Sequence, residues 1–198
     1  MEQQADQLGK KLGMWLFLYT EIMLFGGLFV IYANYYHRYT ADFVEGGRSL
    51  ALVVGAVNTI LLLASSYAVA ASITAIRRED KRAAAIFLGS AIVMGLLFLV
   101  NKYFEWGEKF SHDIYPGSPH LADGPQGLTM FYGLYFTITG LHGLHVAIGV
   151  GLLMVCSVFV LTGRIHQAHY VVLENSGLFW HLIDLIWIFI FPLFYLIL

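Results

Sequence analysis

Polar and charged residues along this chain gather in short clusters, and long apolar runs separate them. Five runs stand out, at about residues 13–36, 50–76, 83–106, 128–161 and 176–198. A transmembrane helix needs about 20 predominantly apolar residues to cross roughly 30 Å of hydrocarbon. The pattern therefore predicts an all-α polytopic membrane protein. It would be a single bundle of five transmembrane helices, one membrane domain over residues 1–198. The fourth run has 34 residues, about 51 Å of helix, so it is expected to tilt or to project beyond the surface. The first run is too long for a signal-peptide core and lacks an obvious small-residue cleavage site, so it is expected to stay as the first span.

Composition agrees with the pattern: 59% of the 198 residues are hydrophobic and 12% are charged, against about a quarter charged in a typical soluble domain. The formal net charge of −2 adds little, because the charges lie at helix ends. The single cysteine, Cys156, excludes an internal disulfide and a CxxC metal knuckle; among Val and Met it reads as a packing residue. Orientation comes from the basic residues. The N-terminus and the links 77–82 and 162–175 carry seven: Lys10, Lys11, Arg77, Arg78, Lys81, Arg82 and Arg164. The other side has four: Arg38, Arg48, Lys102 and Lys109. The N-terminus is therefore expected in the cytoplasm. No phosphate-binding glycine loop, GxSxG elbow, HExxH helix or nucleic-acid patch is present.

Candidate chemistry lies where charge is costly. Glu21 sits in the first span, His142 and His145 in the fourth, His181 and Asp184 in the fifth. Glu105, near the end of the third span, reads as an interfacial carboxylate close to the headgroups. A carboxylate at the bilayer centre costs at least about 2.5–3.5 kcal/mol, so a protonated acid or a paired carboxylate is cheaper. Glu21 and Asp184 each lie about 12 Å below the entry points of their spans and could face one another. His142 with His145, and His181 with Asp184, share helix faces at a spacing of three. Three readings stay open on the residues alone: a metal or haem held by these pairs, a proton path, or a buried polar network between helices. Asn58, Thr59, Ser65, Ser66, Thr137 and Thr139 could add interhelical hydrogen bonds of about 0.6 kcal/mol each. Gly26, Gly27, Gly140, Gly143, Gly149 and Gly151 are expected to permit close helix approach. Trp15, Trp106, Tyr35 and Tyr36 near span ends read as interfacial anchors. His112, Asp113, His120 and Asp123 fall in a Pro- and Gly-rich link that reads as a polar turn.

Several of these segments also carry a family resemblance: Thr20-Glu-Ile-Met-Leu-Phe25, Asn58-Thr-Ile-Leu-Leu-Leu-Ala-Ser65, Glu105, Thr139-Gly-Leu-His-Gly-Leu-His-Val146 and Phe179-Trp-His-Leu-Ile-Asp-Leu-Ile-Trp187. In this order and at these spacings the chain resembles subunit III of the haem-copper respiratory oxidases, in the five-helix bacterial form that lacks the first two helices of longer members. The resemblance implies a subunit without haem or copper of its own, those groups being held by partner subunits I and II. It implies a chain that is not catalytic in isolation, that supports the catalytic subunit and proton uptake, and that binds phospholipid. It places the chain in the bacterial cytoplasmic (inner) membrane, with a larger respiratory supercomplex as a further partner and no nucleic acid. Glu21 matches the family's carbodiimide-reactive carboxylate. On this reading Glu21, His142, His145, His181 and Asp184 form one interhelical polar network with no metal. A glutamate at position 21 favours a cytochrome c oxidase; the alternatives are a quinol oxidase, a nitric oxide reductase relative, a stand-alone membrane metalloprotein or a proton transporter.

Overall fold

The computed structural model describes residues 2–197 apart from 168, with the side chains of residues 2–8, 10, 120 and 122 left out; the side chains of Lys10 and His120, and residue 198, thus lie outside the description. Among the described residues seven helices follow in order: α1 (Glu2–Arg38), α2 (Thr40–Arg48), α3 (Leu52–Arg77), α4 (Lys81–Ser111), α5 (Pro119–Ala122), α6 (Gln126–Leu161) and α7 (Val171–Tyr195). No strand occurs among the described residues, where His166 and His169 make an isolated bridge. Among the described residues five helices are long and apolar enough to cross a membrane: Lys11–Arg38 within α1, then α3, α4, α6 and α7.

Helix ends follow local chemistry. Asp80 caps α4, its side chain accepting from the Ala83 amide at 2.9 Å, which supplies one of the donors a helix start leaves unpaired. Just before it, Glu79 adopts a left-handed φ of 63°, and the Asp80 amide closes back onto Ala75 O at 3.0 Å. That wider loop satisfies a terminal carbonyl of α3 and turns the chain within three residues. Gly163, with φ 75°, ends α6 in the conformation that glycine tolerates best.

Several helices outrun the expected limits, and the first link holds a helix of its own. α4 continues to Ser111, because Gly107 stays helical and the stop comes at Asp113 with φ 53°. α7 starts at Val171, five residues before the expected 176. The link expected at 37–49 contains α2, whose Phe43, Gly46 and Gly47 are buried and whose glycine face lets the ring of Phe131 on α6 come close. α6 reaches 36 residues, about 54 Å.

α7 is the central helix and α1 the peripheral one: 56% of the most apolar window of α7 is buried, against 11% for α1. Trp180 of α7 is the main wedge. A Cβ added at Gly95 of α4 would come 2.8 Å from its ring, and one at Gly149 of α6 would come 2.7 Å from it. Both glycines are thus required for three helices to close on one indole, whose Nε1 donates to Ser65 Oγ of α3 at 3.0 Å. Of the six glycines expected at close crossings, Gly149 does this and Gly140 faces Trp106 at ordinary contact distance. Gly26, Gly27, Gly143 and Gly151 meet nothing within 4 Å.

Candidate functional site

The polar groups of the second span cross between helices. Asn101 Nδ2 donates to Asn58 Oδ1 at 2.8 Å, Trp187 Nε1 to Thr59 Oγ1 at 2.9 Å, and Ser66 Oγ lies 2.6 Å from His181 Nδ1. Thr137 and Thr139 instead bond back to Gly133 O and Tyr135 O of their own helix. A threonine in mid-helix has that local option, and no sequence rule distinguishes the two outcomes.

The five membrane-depth groups do not form the single network expected of them. Two come together: Glu21 Oε2 of α1 lies 2.9 Å from His145 Nε2 of α6. The partner of Glu21 is thus His145 and not Asp184, since α1 packs against α6 as well as α7. His145 Nδ1 lies 2.7 Å from Leu141 O, and a carbonyl only accepts, so Nδ1 carries hydrogen. Nε2 and the carboxyl then share one further proton, as acid and imidazole or as carboxylate and imidazolium. Phe25 and Phe179 flank the imidazole, with centroids at 5.5 and 6.2 Å.

His142 is fully buried, three residues away on a different part of α6. It lies edge-on to Phe98 at 5.5 Å and tilted against Trp187 at 5.1 Å, and neither ring nitrogen has a hydrogen-bond partner among the described residues. His181 turns to Ser66, and Asp184 is buried with both oxygens unpaired among the described residues. The two histidine pairs therefore do not converge. Among the described residues no group of three or more His, Cys, Asp or Glu is placed to hold a metal ion.

A buried ion pair on α4 was not anticipated. Glu105, expected at headgroup level, is enclosed by protein at 5% exposure, with Lys102 at 4%. Lys102 Nζ donates to Glu105 Oε2 at 3.2 Å, to Tyr135 Oη at 3.1 Å and to Tyr195 Oη at 2.8 Å. Tyr135 donates to Glu105 Oε1 at 2.5 Å, and Tyr195 donates to the same oxygen. The ammonium also lies 5.0–5.5 Å from the ring centroids of Tyr135, Trp187 and Tyr195, where the ring faces attract a cation. Every donor of the ammonium is used, and the pair ties α4 to α6 and α7. One turn on, Lys109 donates to Ser49 O at 2.8 Å, and Ser49 Oγ meets Tyr132 Oη at 2.7 Å. The available signal was the i, i+3 pair Lys102 and Glu105. It misled because the third span was ended at 106, which set both residues too shallow. Five more residues of helix, about 7.5 Å, bring them inside the bundle.

Toward the other end of the bundle, Arg77 of α3 and Lys11 of α1 both reach Glu174 of α7, at 2.7 and 3.6 Å. These exposed pairs contribute about 0–1 kcal/mol each.

Fold and site together define a polytopic membrane protein whose spanning helices are joined by buried polar contacts. The chain belongs to the cytochrome c oxidase subunit III family, which matches residues 2–197. It is 33% identical over 190 residues to cytochrome c oxidase subunit 3 of Synechocystis sp., an alignment covering 93% of this chain and 74% of that protein. It is 29% identical over 189 residues to the probable quinol oxidase subunit 3 of Staphylococcus haemolyticus, covering 94% and 88%. Cytochrome c oxidase subunit 3 of Alkalihalophilus pseudofirmus is 30% identical over 189 residues, covering 94% and 86%. The role of the chain is that of subunit III in a haem-copper oxidase, and it works in a complex with other oxidase subunits.

Proposed function

We propose that this chain is the non-redox subunit III of a bacterial cytochrome c oxidase, acting as one membrane domain in the cytoplasmic membrane. Its partners are subunits I and II, which carry the haem and copper, together with membrane phospholipid and, beyond the oxidase, a respiratory supercomplex. It braces the catalytic subunit and supports proton uptake without a reaction of its own. The family match along residues 2–197 carries this reading. The polar ties fit a scaffold: Glu21 with His145 fastens α1 to α6, and the Lys102–Glu105 pair of α4 fastens that helix to Tyr135 of α6 and Tyr195 of α7. His142 and Asp184 join this set as buried polar groups of the core, and His181 as a half-buried one.

The orientation proposed is N-terminus inside. Lys102 and Lys109 are buried, so the expected outer side keeps Arg38 and Arg48 as its basic residues. The opposite side keeps Lys11, Arg77, Arg78, Lys81, Arg82 and Arg164, and the asymmetry favours a cytoplasmic N-terminus.

Purification in mild detergent tests the reading. Haem-bearing subunits at one-to-one stoichiometry, with oxidation of reduced cytochrome c, are the expected result; a chain that purifies alone overturns it. A quinol oxidase is the second reading, favoured by the similarity to the Staphylococcus haemolyticus protein, and oxidation of quinol but not of cytochrome c decides for it.

A further inference from the structure

α1 and α3 both lie against α7 but, among the described residues, not against each other. A groove therefore runs between them with α7 as its floor. At the N-terminal end of the bundle it widens into a cavity of about 350 Å³, whose lining includes Lys11 and Trp15 of α1, Arg77 of α3, and Glu174, Leu178 and His181 of α7. Deeper along α7, Leu185 and Ile188 are still 49% and 42% exposed, although they belong to the central helix. With Leu178 and His181 they keep the three- and four-residue spacing of one helix face. Ile188 falls between Trp187, which bonds to Thr59 of α3, and Phe189, whose ring lies 6.2 Å from Phe29 of α1. The open strip is thus the floor of the groove. From Glu174 to Ile188 it descends 14 residues, about 21 Å, against about 15 Å for half of the hydrocarbon core.

We infer that this groove binds one anionic phospholipid from the leaflet on the N-terminal side, with its phosphate held by Lys11 and Arg77 and a tail laid along α7. The inference rests on the reading of the chain as a membrane-embedded oxidase subunit, and adds to it the place and the class of lipid. Two cations and one anion stand at the mouth, which leaves one positive charge over. Arg77 meets Glu174 Oε1 at 2.7 Å, whereas Lys11 lies 3.6 Å from Oε2, too far for a hydrogen bond. Lys11 therefore keeps N–H groups for a phosphate oxygen, and the guanidinium fork of Arg77 has donors beyond the one that Glu174 takes. A headgroup ammonium would find the carboxylate already facing two cations, so charge selects an anionic headgroup over a zwitterionic one.

The rest of the groove suits the apolar part of the same molecule. Trp15, 61% exposed and one turn along from Lys11, sits where an aromatic ring marks the headgroup boundary. Ser66 Oγ and His181 Nδ1 meet at 2.6 Å, so the floor presents a satisfied pair at that depth. Ile73, Leu178, Leu185 and Ile188 offer hydrocarbon, which a lipid tail matches and a soluble anion does not. A lipid held there touches α1 and α3 together and joins two helices that have no contact of their own.

Photolabelling of the intact oxidase in liposomes tests the inference. Phosphatidylglycerol or phosphatidylcholine, each with a photoreactive diazirine in one tail, is supplied at the same mole fraction, and labelled peptides of this chain are mapped by mass spectrometry. Phosphatidylglycerol should label the strip from Leu178 to Ile188 at least about fivefold more than phosphatidylcholine. Lys11→Gln and Arg77→Gln should each lower the phosphatidylglycerol label about fivefold, the share of one basic residue near a membrane surface, and leave the phosphatidylcholine label unchanged. Glu174→Gln, which raises the surplus to two positive charges, should increase it. Equal labelling by the two lipids overturns the proposal, as does a strip that neither labels because a helix of another subunit covers it. Loss of the preference when inorganic phosphate is added at constant ionic strength also overturns it, in favour of a soluble anion. If Arg77→Gln fails to assemble, Lys11→Gln and Glu174→Gln still decide. A missing label with haem-bearing subunits present counts against the lipid site alone, and a labelled strip without haem counts against the oxidase reading alone.

Discussion

Replacing Lys102 with methionine removes the cation from the Lys102, Glu105, Tyr135 and Tyr195 cluster while keeping most of the side-chain volume. Both members of the ion pair are nearly enclosed, with side-chain exposures of 5% and 3%. Breaking such a pair by removing one partner costs about 3–5 kcal/mol, because the surviving charge stays buried. Here Tyr135 and Tyr195 still donate to Oε1 of Glu105, which puts the expected loss near the lower figure, about 3 kcal/mol. Thermal release of subunit III from the intact oxidase, followed as the fraction still bound to the haem-bearing subunits, measures it. The double variant Lys102→Met with Glu105→Gln is the informative comparison. It leaves no charge stranded, so it should recover most of the loss, about 1–3 kcal/mol relative to the single variant. Equal release temperatures for the single and double variants would refute the claim that a stranded Glu105 charge causes the damage.

Smaller tests address the other ties. His145→Ala leaves Glu21 without its partner and should weaken subunit retention by about 1–3 kcal/mol with the haem spectrum unchanged; unaltered retention after detergent extraction counts against the pair as a brace. Gly149→Val drives a side chain into the Trp180 ring, which a Cβ alone would approach to 2.7 Å, and overpacking of this kind costs about 1–3 kcal/mol; Gly151→Val, at a position with nothing within 4 Å, should be neutral in the same melting assay. Glu174→Gln removes the anion of two exposed ion pairs and should change stability by no more than about 1 kcal/mol, a bound that denaturation at two ionic strengths checks.

Much of the fold was legible because hydrocarbon imposes simple rules on sequence. Length and apolarity set five spans, and the same five appear. The polar residues Asn58, Thr59, Ser65 and Ser66 were legible as interhelical contacts because a hydroxyl or amide in lipid has few other outlets. Partner choice was not legible. Equal depth suggested Glu21 and Asp184, yet depth fixes only one coordinate, and rotation of α1 about its axis turns Glu21 to α6. Lys102 and Glu105 failed in another way: flanking polar residues made the helix look finished, and a charge near an apparent helix end was taken as solvated. The same error inflated the basic count on the expected outer side, where two of the four residues face inward.

α7 gathers ties from every other spanning helix. Trp180, His181 and Trp187 hold α3, Tyr195 holds Lys102 and Glu105 of α4, Leu193 O accepts from Tyr32 of α1, and the Cys156 thiol of α6 meets Ser176. In a bilayer the apolar faces gain little by leaving lipid for one another, so packing and such polar bonds hold the helices together. A helix made after the other four spans therefore supplies bonds that fix them. α1 depends on the arrangement most, with little of its apolar window buried and with Glu21 and Tyr32 as its anchors at membrane depth. A chain shortened before Trp180 would keep four spans of sufficient length and lose the ties to α1, α3 and α4 just named. Insertion and assembly are thus separable: such a truncation should still enter the membrane, as protease protection would report, and should hold α1 more weakly, through the Glu21–His145 tie to α6 without the Tyr32 bond.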